Sequence, residues 1–356
     1  MSRFSRSEQA VLRSIYAPPV AAANWRLEQL AGHDRLRYFA FGRHALVAAL
    51  QMAGVKSGDA VLLPGFICRE VLSAVHALDA RVLYYPVDAN LRLACDPSAL
   101  PAAKAIVAVD YFGFAQDLAP FTQYCARNDA VLIEDNAHGL FGRDSDGHAL
   151  GTRGDLGIFS LRKTLAAPNG AAVVVNNASL ATALPSQIPF DDVTPDATFL
   201  GKRRLRKQVR LLGTRPARTA TALIRMVRWM KTGHTIPPSA AESETQLPSV
   251  KAPSAILLDV MRNTDVDAEI ARRRELYRLL PSLLDPVRYP PLFAALPPGT
   301  APYGYPFVAD AGRANEARAL LTKHGLECLH WPALPDAIAA TAPAHYRTVW
   351  MVSFLW

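Results

Sequence analysis

Three stretches of this 356-residue sequence combine residue types that do chemistry together. The first is "GDLGIFSLRKTLAAPNGAAVVVNN", Gly154 to Asn177, which reads as a strand, a polar turn and a second strand, with Ser160 and Lys163 in the turn. Most lysines in turns are solvated. Here Ile158 and Phe159 precede and the apolar run from Ala171 to Val175 follows. An amine held between them is partly desolvated, which favours its neutral, nucleophilic form. The second stretch is "VLIEDNAHG", where Asp135 ends an apolar run that reads as a buried strand. A lone Asp in that place is more often a cap or turn former, and Glu134 alternates to the opposite face. The third is "FGRHAL", where Gly42 precedes a helix start. Free backbone N–H groups at the positive end of a helix dipole form an anion site suited to a phosphate. Arg43 and His44 either add charge there or stand in solvent.

A nucleophilic lysine, a carboxylate and an anion site are together what pyridoxal phosphate (PLP) requires. The lysine makes a Schiff base, the carboxylate keeps the pyridine nitrogen protonated, and the anion site takes the phosphate. The same lysine then serves as general base. Other chemistries find no motif: the sequence has no HExxH, GxSxG, Walker loop or GxGxxG. The four cysteines, Cys68, Cys95, Cys125 and Cys328, lack metal-ligand spacing and read as reduced thiols.

These residues need a scaffold, and the periodicity supplies one. "ALVAALQMAGV" has helical spacing after "FGRH". "AVLLP", "RVLYYPVD", "KAIVAVD" and "AVLIED" read as short buried strands. "CREVLSAVHALDA" and "DLAPFTQYCARND" read as helices between them, the second with Asp117 at its start. Strand–helix alternation predicts an α/β fold: an open, mostly parallel sheet with helices on both faces and ligands at the carboxyl ends of its strands. The pattern breaks between residues 185 and 255. Afterwards "VDAEIARRRELYRLLPSLL" is helical, and "YPFVAD", "ANEARALLTKHG", "LECLHW" and "YRTVWMVSFLW" predict a small α+β unit. The expected organisation is an N-terminal segment (1–34), a large α/β domain (35–245) with a basic insertion at 201–232, and a small C-terminal α+β domain (246–356).

In order and spacing, five segments resemble the DegT/DnrJ/EryC1/StrS aminotransferases: "FGRHALVAAL", "GDAVLLPGFICREVLSAV", "AIVAVDYFGFAQDL", "VLIEDNAHGLFG" and "GDLGIFSLRKTLAAPNGAAVVV". The resemblance implies a PLP-dependent transferase of fold type I. It makes Lys163 the Schiff-base lysine and Asp135 the partner of the pyridinium nitrogen. It sets His138, where the family has glutamine, near the phenolic oxygen. Ser160 and the backbone amides of Arg43 and His44 after Gly42 would hold the phosphate, and Cys68 takes the place of an aromatic that packs on the ring. The implied reaction moves an amino group from glutamate or glutamine to a keto sugar, nucleotide-linked, in polysaccharide or natural-product assembly, with a site completed across a homodimer. Sugar dehydration, or a non-catalytic relative that binds a partner, are the alternatives. The chain departs from the pattern. Ser160 and Lys163 are three positions apart where five is usual, and Asp110 stands where histidine is usual. Gly170-Ala171 replaces a glycine pair, no clear N-Y-R segment appears, and a final helix is expected to be missing. "LHWPALP", with His330 and Trp331, is similar to the stretch that lines the family's substrate cleft; plain packing is an equal reading.

Half the residues are hydrophobic and a fifth charged, an ordinary globular balance. No apolar run approaches the roughly 18 residues of a membrane span, and the polar N-terminus does not read as a signal peptide, so the expected compartment is cytoplasmic. The net charge of +8 is concentrated: Gly201 to Thr232 holds eleven Lys and Arg and no Asp or Glu. A solvated or domain-packing helix is the favoured reading of that block. Attraction to anionic substrates and peripheral membrane attachment through 202–231 stay open. No nucleic-acid-binding module accompanies it.

Overall fold

In the computed structural model, the described residues are 5–355 apart from 17, 19, 22, 192–196, 213–218, 221, 224–225, 228–229 and 232–239. Among the described residues ten strands form two sheets: β1 Leu36–Phe39, β2 Ala60–Pro64, β3 Arg81–Tyr85, β4 Ala105–Val109, β5 Val131–Asn136, β6 Leu156–Phe159, β7 Ala171–Val175, β8 Gly304–Val308, β9 Cys328–His330 and β10 Val349–Ser353. The first seven make one sheet in the order β1-β7-β6-β5-β4-β2-β3. Pairings among β2 to β6 are parallel, whereas β7 runs antiparallel to both β6 and β1. β2, β4 and β7 are buried along their whole length, as expected of strands covered on both faces.

Helices among the described residues include α1 Arg6–Arg13, α2 Glu28–Ala31, α3 Gly42–Met52, α4 Leu72–His76, α5 Ala119–Asn128, α6 Leu161–Thr164, α7 Ala197–Leu212, α8 Ala255–Arg262, α9 Val266–Leu279, α10 Ala311–Lys323 and α11 Asp336–Ala339. α3 lies across β1, β6 and β7. Its buried residues include Ala45, Leu46, Ala49 and Leu50, the positions whose spacing predicts a helix. α5 begins where Asp117 Oδ1 accepts from the Ala119 amide at 3.0 Å. The second sheet, β8-β10-β9, is antiparallel. Its core residues Tyr305, Phe307 and Val352 join one continuous apolar cluster with those of β2, β4 and β5.

Two local expectations change. "CREVLSAVHALDA" is not one helix but a 3-10 turn, Arg69–Val71, followed by the short α4. The turn carrying Lys163 is helical: Leu161 and Thr164 point into the core and α6 completes one turn between β6 and β7. No helix among the described residues is long and apolar enough to cross a membrane.

Candidate active site

The site forms where α3 begins and where β5 and β6 end, and each functional side chain follows from that placement. β5 pairs Asp135 with Val109 of β4 and with Ile158 of β6. Strand alternation then separates the two carboxylates. Glu134 turns away and takes Arg153, whose Nη2 stands 2.6 Å from Glu134 Oε1 and 2.8 Å from Asp110 Oδ1. Asp110, noted above as a departure from the family pattern, is therefore fully buried in that ion cluster. Asp135 faces a cleft of about 260 Å³, with Gly42, Arg43, Cys68, His138, Ser160 and Lys163 also on its walls. Asp135 Oδ1 accepts from the Ala137 amide at 3.0 Å. Burial pushes the carboxyl above the usual carboxylate range, and neighbouring Lys163 pulls it back. A carboxylate so placed favours a cation in the cleft beside it.

Lys163 is held from several sides. Its amide donates to Ser160 O at 3.0 Å, and the adjacent Arg162 amide to Gly170 O at 3.2 Å. Gly170 has φ +139°, and an added Cβ would stand 2.7 Å from Leu257, so that return loop requires glycine. The carbonyl of Thr164 accepts from Arg273 Nη2 at 3.2 Å. At the tip, Lys163 Nζ stands 3.1 Å from His138 Nε2. His138 is buried, and burial first, then Lys163, holds its imidazole well below the ordinary histidine range, hence neutral. Its Nδ1 faces the Phe112 amide at 3.3 Å, which can only donate. Both ring nitrogens thus face nitrogen donors, the Phe112 amide at Nδ1 and the Lys163 side chain at Nε2. Tyr303 fixes the ring plane, with centroids 4.4 Å apart and planes 2° from parallel.

The anion cradle lies opposite. The first amides of a helix lack carbonyl partners four residues back. In α3 the His44 amide turns to Phe41 O at 3.0 Å, and its ring Nε2 meets Pro248 O at 3.0 Å. The His44 ring is thus held by the loop before α8, and its amide makes the first turn's own bond. Ser160 closes over the start of α3, its Cβ 3.7 Å from where a Gly42 Cβ would stand. The Ser160 side chain is buried, and its hydroxyl has no protein partner among the described residues. Arg162 lies over the Phe41 ring, 5.3 Å from its centroid. Cys68 lines the cleft as a thiol whose pKa burial pushes up to about 12. The aromatic surfaces of the cleft come instead from Phe41, Tyr303 and Trp331. Trp331 packs edge-on against His138 at 5.3 Å, while His330 faces away, to Arg347 O. Tyr303 and Arg273 carry no local sequence signal for this role: one precedes β8, the other belongs to a charged helix.

An amine and a neutral imidazole beside a half-buried carboxylate, across from an orphaned hydroxyl and helix amides, fit PLP. The seven-stranded, mostly parallel sheet with its smaller antiparallel partner defines an α/β fold. That fold is shared with the aminotransferase TlmJ from Streptoalloteichus hindustanus (TM-score 0.61, 19% identity, 98% of this chain and 91% of that one). It is shared equally with a putative sugar aminotransferase, Spr1654 of Streptococcus pneumoniae, in its PMP form (0.63, 14%, 99% and 91%). Residues 25–187, somewhat under half of the chain, match the model of the DegT/DnrJ/EryC1/StrS aminotransferase family. It is 31% identical over 191 residues to an L-glutamine:2-deoxy-scyllo-inosose aminotransferase of Streptomyces kanamyceticus, covering 51% of this chain and 44% of that protein. The enzyme of the same name from Micromonospora echinospora is 33% identical over 184 residues, with 49% and 43% covered. The match thus spans less than half the length of these curated relatives.

Proposed function

We propose that the protein is a PLP-dependent aminotransferase that moves the amino group of glutamine or glutamate to the ketone of a polyhydroxylated ring, a keto sugar or keto-cyclitol. One observation carries this reading: Lys163 Nζ and His138 Nε2 meet at 3.1 Å in the same cleft as Asp135 and the Gly42–Ser160 cradle. Bound there, PLP supplies the electron sink that lets a proton leave the carbon bearing the amine. The chain's own groups do the rest. Ser160 and the amides of Gly42 and Arg43 hold the phosphate, and Asp135 keeps the ring nitrogen protonated. His138 would meet the phenolic side through Nε2, and Lys163 Nζ would take the proton from the donor's amine-bearing carbon in one half-reaction and deliver one to the acceptor carbon in the other, as general base and acid. Trp331 and Tyr303 exclude water from the same space.

Purified protein titrated with PLP should gain a visible absorption band that glutamine or glutamate bleaches. A protein that gains no band, or whose band no amino donor changes, defeats the proposal. Asp135→Asn should still bind the phosphate end but lower turnover about 100-fold, since a neutral amide cannot stabilise the ring cation. Full turnover in that variant would remove Asp135 from the reaction. Among curated relatives the acceptors named are inososes. Screening should therefore begin with keto-cyclitols and proceed to nucleotide-linked keto sugars, each with the homodimer expected of this fold tested by sedimentation.

A further inference from the structure

We propose that the basic segment spanning residues 201–232 docks the protein onto an anionic lipid surface. This inference stands apart from the chemistry of the cleft. The first observation is charge. The segment holds eleven Lys and Arg with no carboxylate, and in the remainder 28 cations face 31 carboxylates, so the whole positive excess is here. On α7, Lys202, Arg203, Arg204 and Lys207 are exposed. The second observation is apolar. Leu223, Met226, Val227 and Met230 are helical and exposed at 55, 51, 38 and 62%. Their spacing, i, i+3, i+4 and i+7, sets them in one stripe. The other exposed large hydrophobics among the described residues, Val20, Val250, Val287 and Leu320, stand singly. Ile224, Arg225, Arg228 and Trp229 of the same segment lie outside the described residues.

The combination selects the occupant. Nucleic acid would engage the cations but leave four apolar side chains in water. A second copy of this chain on a two-fold axis would set the exposed cations of α7 against their own like charge. A bilayer with acidic headgroups satisfies both features: the apolar stripe enters the headgroup–acyl boundary, while long cationic side chains keep their heads among the lipid phosphates.

The test is flotation of the full chain with vesicles of phosphatidylcholine plus phosphatidylglycerol beside vesicles of phosphatidylcholine alone. Salt-sensitive binding to the first and none to the second is expected. The double variant Met226→Glu/Met230→Glu should cut the bound fraction roughly tenfold without changing the melting temperature. Arg203→Glu/Lys207→Glu, a second variant on α7, should abolish the preference for anionic vesicles. No binding to anionic vesicles, equal binding to both kinds, or undiminished binding by either variant overturns the proposal. A change in oligomeric state without a change in vesicle binding would give the stripe to a protein interface and overturn it equally.

Discussion

Lys163→Ala should give a folded protein that gains no visible band with PLP and loses amino transfer by at least roughly four orders of magnitude, the upper range for a residue acting as acid and base. Removing the amine also removes the cation that pulls the Asp135 carboxyl back toward its ordinary range. Two roles of Lys163 are thus lost at once, and Lys163→Arg separates them. A guanidinium keeps the positive charge beside Asp135 but is never a free base in a protein, so it neither forms a Schiff base nor accepts the substrate's proton. Arg should therefore restore whatever stability Ala loses, while restoring neither band nor turnover. Absorption spectra and melting curves of the two variants, run without and with PLP, decide this. A band that survives in either variant would mean that another amine reaches the ring.

His138 adds a pH signature to the same cleft. Its imidazole is held neutral in the folded protein, well below the ordinary value. The unfolded chain therefore binds the extra proton first as pH falls. That contribution to stability is present above the ordinary histidine pKa of about 6.5 and is lost progressively below it. Melting of the cofactor-free protein should weaken below that pH, and His138→Gln should flatten the change.

How much of this was legible beforehand depends on how local each feature is. β2, β4 and β7 are continuous apolar runs, as is the first half of β5, and a strand buried on both faces advertises itself that way. Asp135 and Lys163 could be assigned because each ends or follows such a run. Gly42, Ser160 and His138 joined them through the order of five segments. Fates decided by distant chain were not legible. The burial of the His44 ring is one: its Nε2 donates to Pro248 O, 204 residues away. Tyr303 reaches His138 only because its amide docks on Phe112 O at 2.8 Å, from the edge of a second sheet. "ARRRELY" reads as a solvated helix face, since Lys- and Arg-rich stretches are rarely buried. The one local hint was Glu269 three and four residues before Arg272 and Arg273, the spacing of helical ion pairs. Nothing nearby shows that the chain's C-terminal strand and the lysine turn close over them.

That buried cluster carries the second large effect. Glu269 is 4% exposed, Arg272 5% and Arg273 1%. Glu269 Oε1 accepts from Arg272 Nη2 at 2.5 Å and from Arg273 Nε at 2.7 Å, while Oε2 takes Arg272 Nε at 2.7 Å. One carboxylate thus holds two guanidiniums out of water. Arg272 then reaches Phe354 O at 3.0 Å, and Arg273 reaches Thr164 O at 3.2 Å and Tyr303 O at 3.2 Å. Glu269→Gln keeps the shape and strands two buried cations, so destabilisation of about 3–5 kcal/mol is expected. Burial pushes the Glu269 carboxyl up, but Arg273 and Arg272 outweigh it and hold it below its ordinary value of 4.5. A carboxyl depressed in this way contributes stability above the unfolded value and loses it as pH falls through the folded one. Wild type should therefore lose stability steeply below about pH 4.5, and Glu269→Gln, already weakened at neutral pH, should lose less there. Because Arg273 ties the backbone beside Lys163 to the residue stacked on His138, the variant should also slow formation of the PLP band at temperatures where it is still folded. Equal melting temperatures at neutral pH for the two proteins would show that the guanidiniums find water or other partners, and that the link from α9 to the lysine turn is not held by this carboxylate.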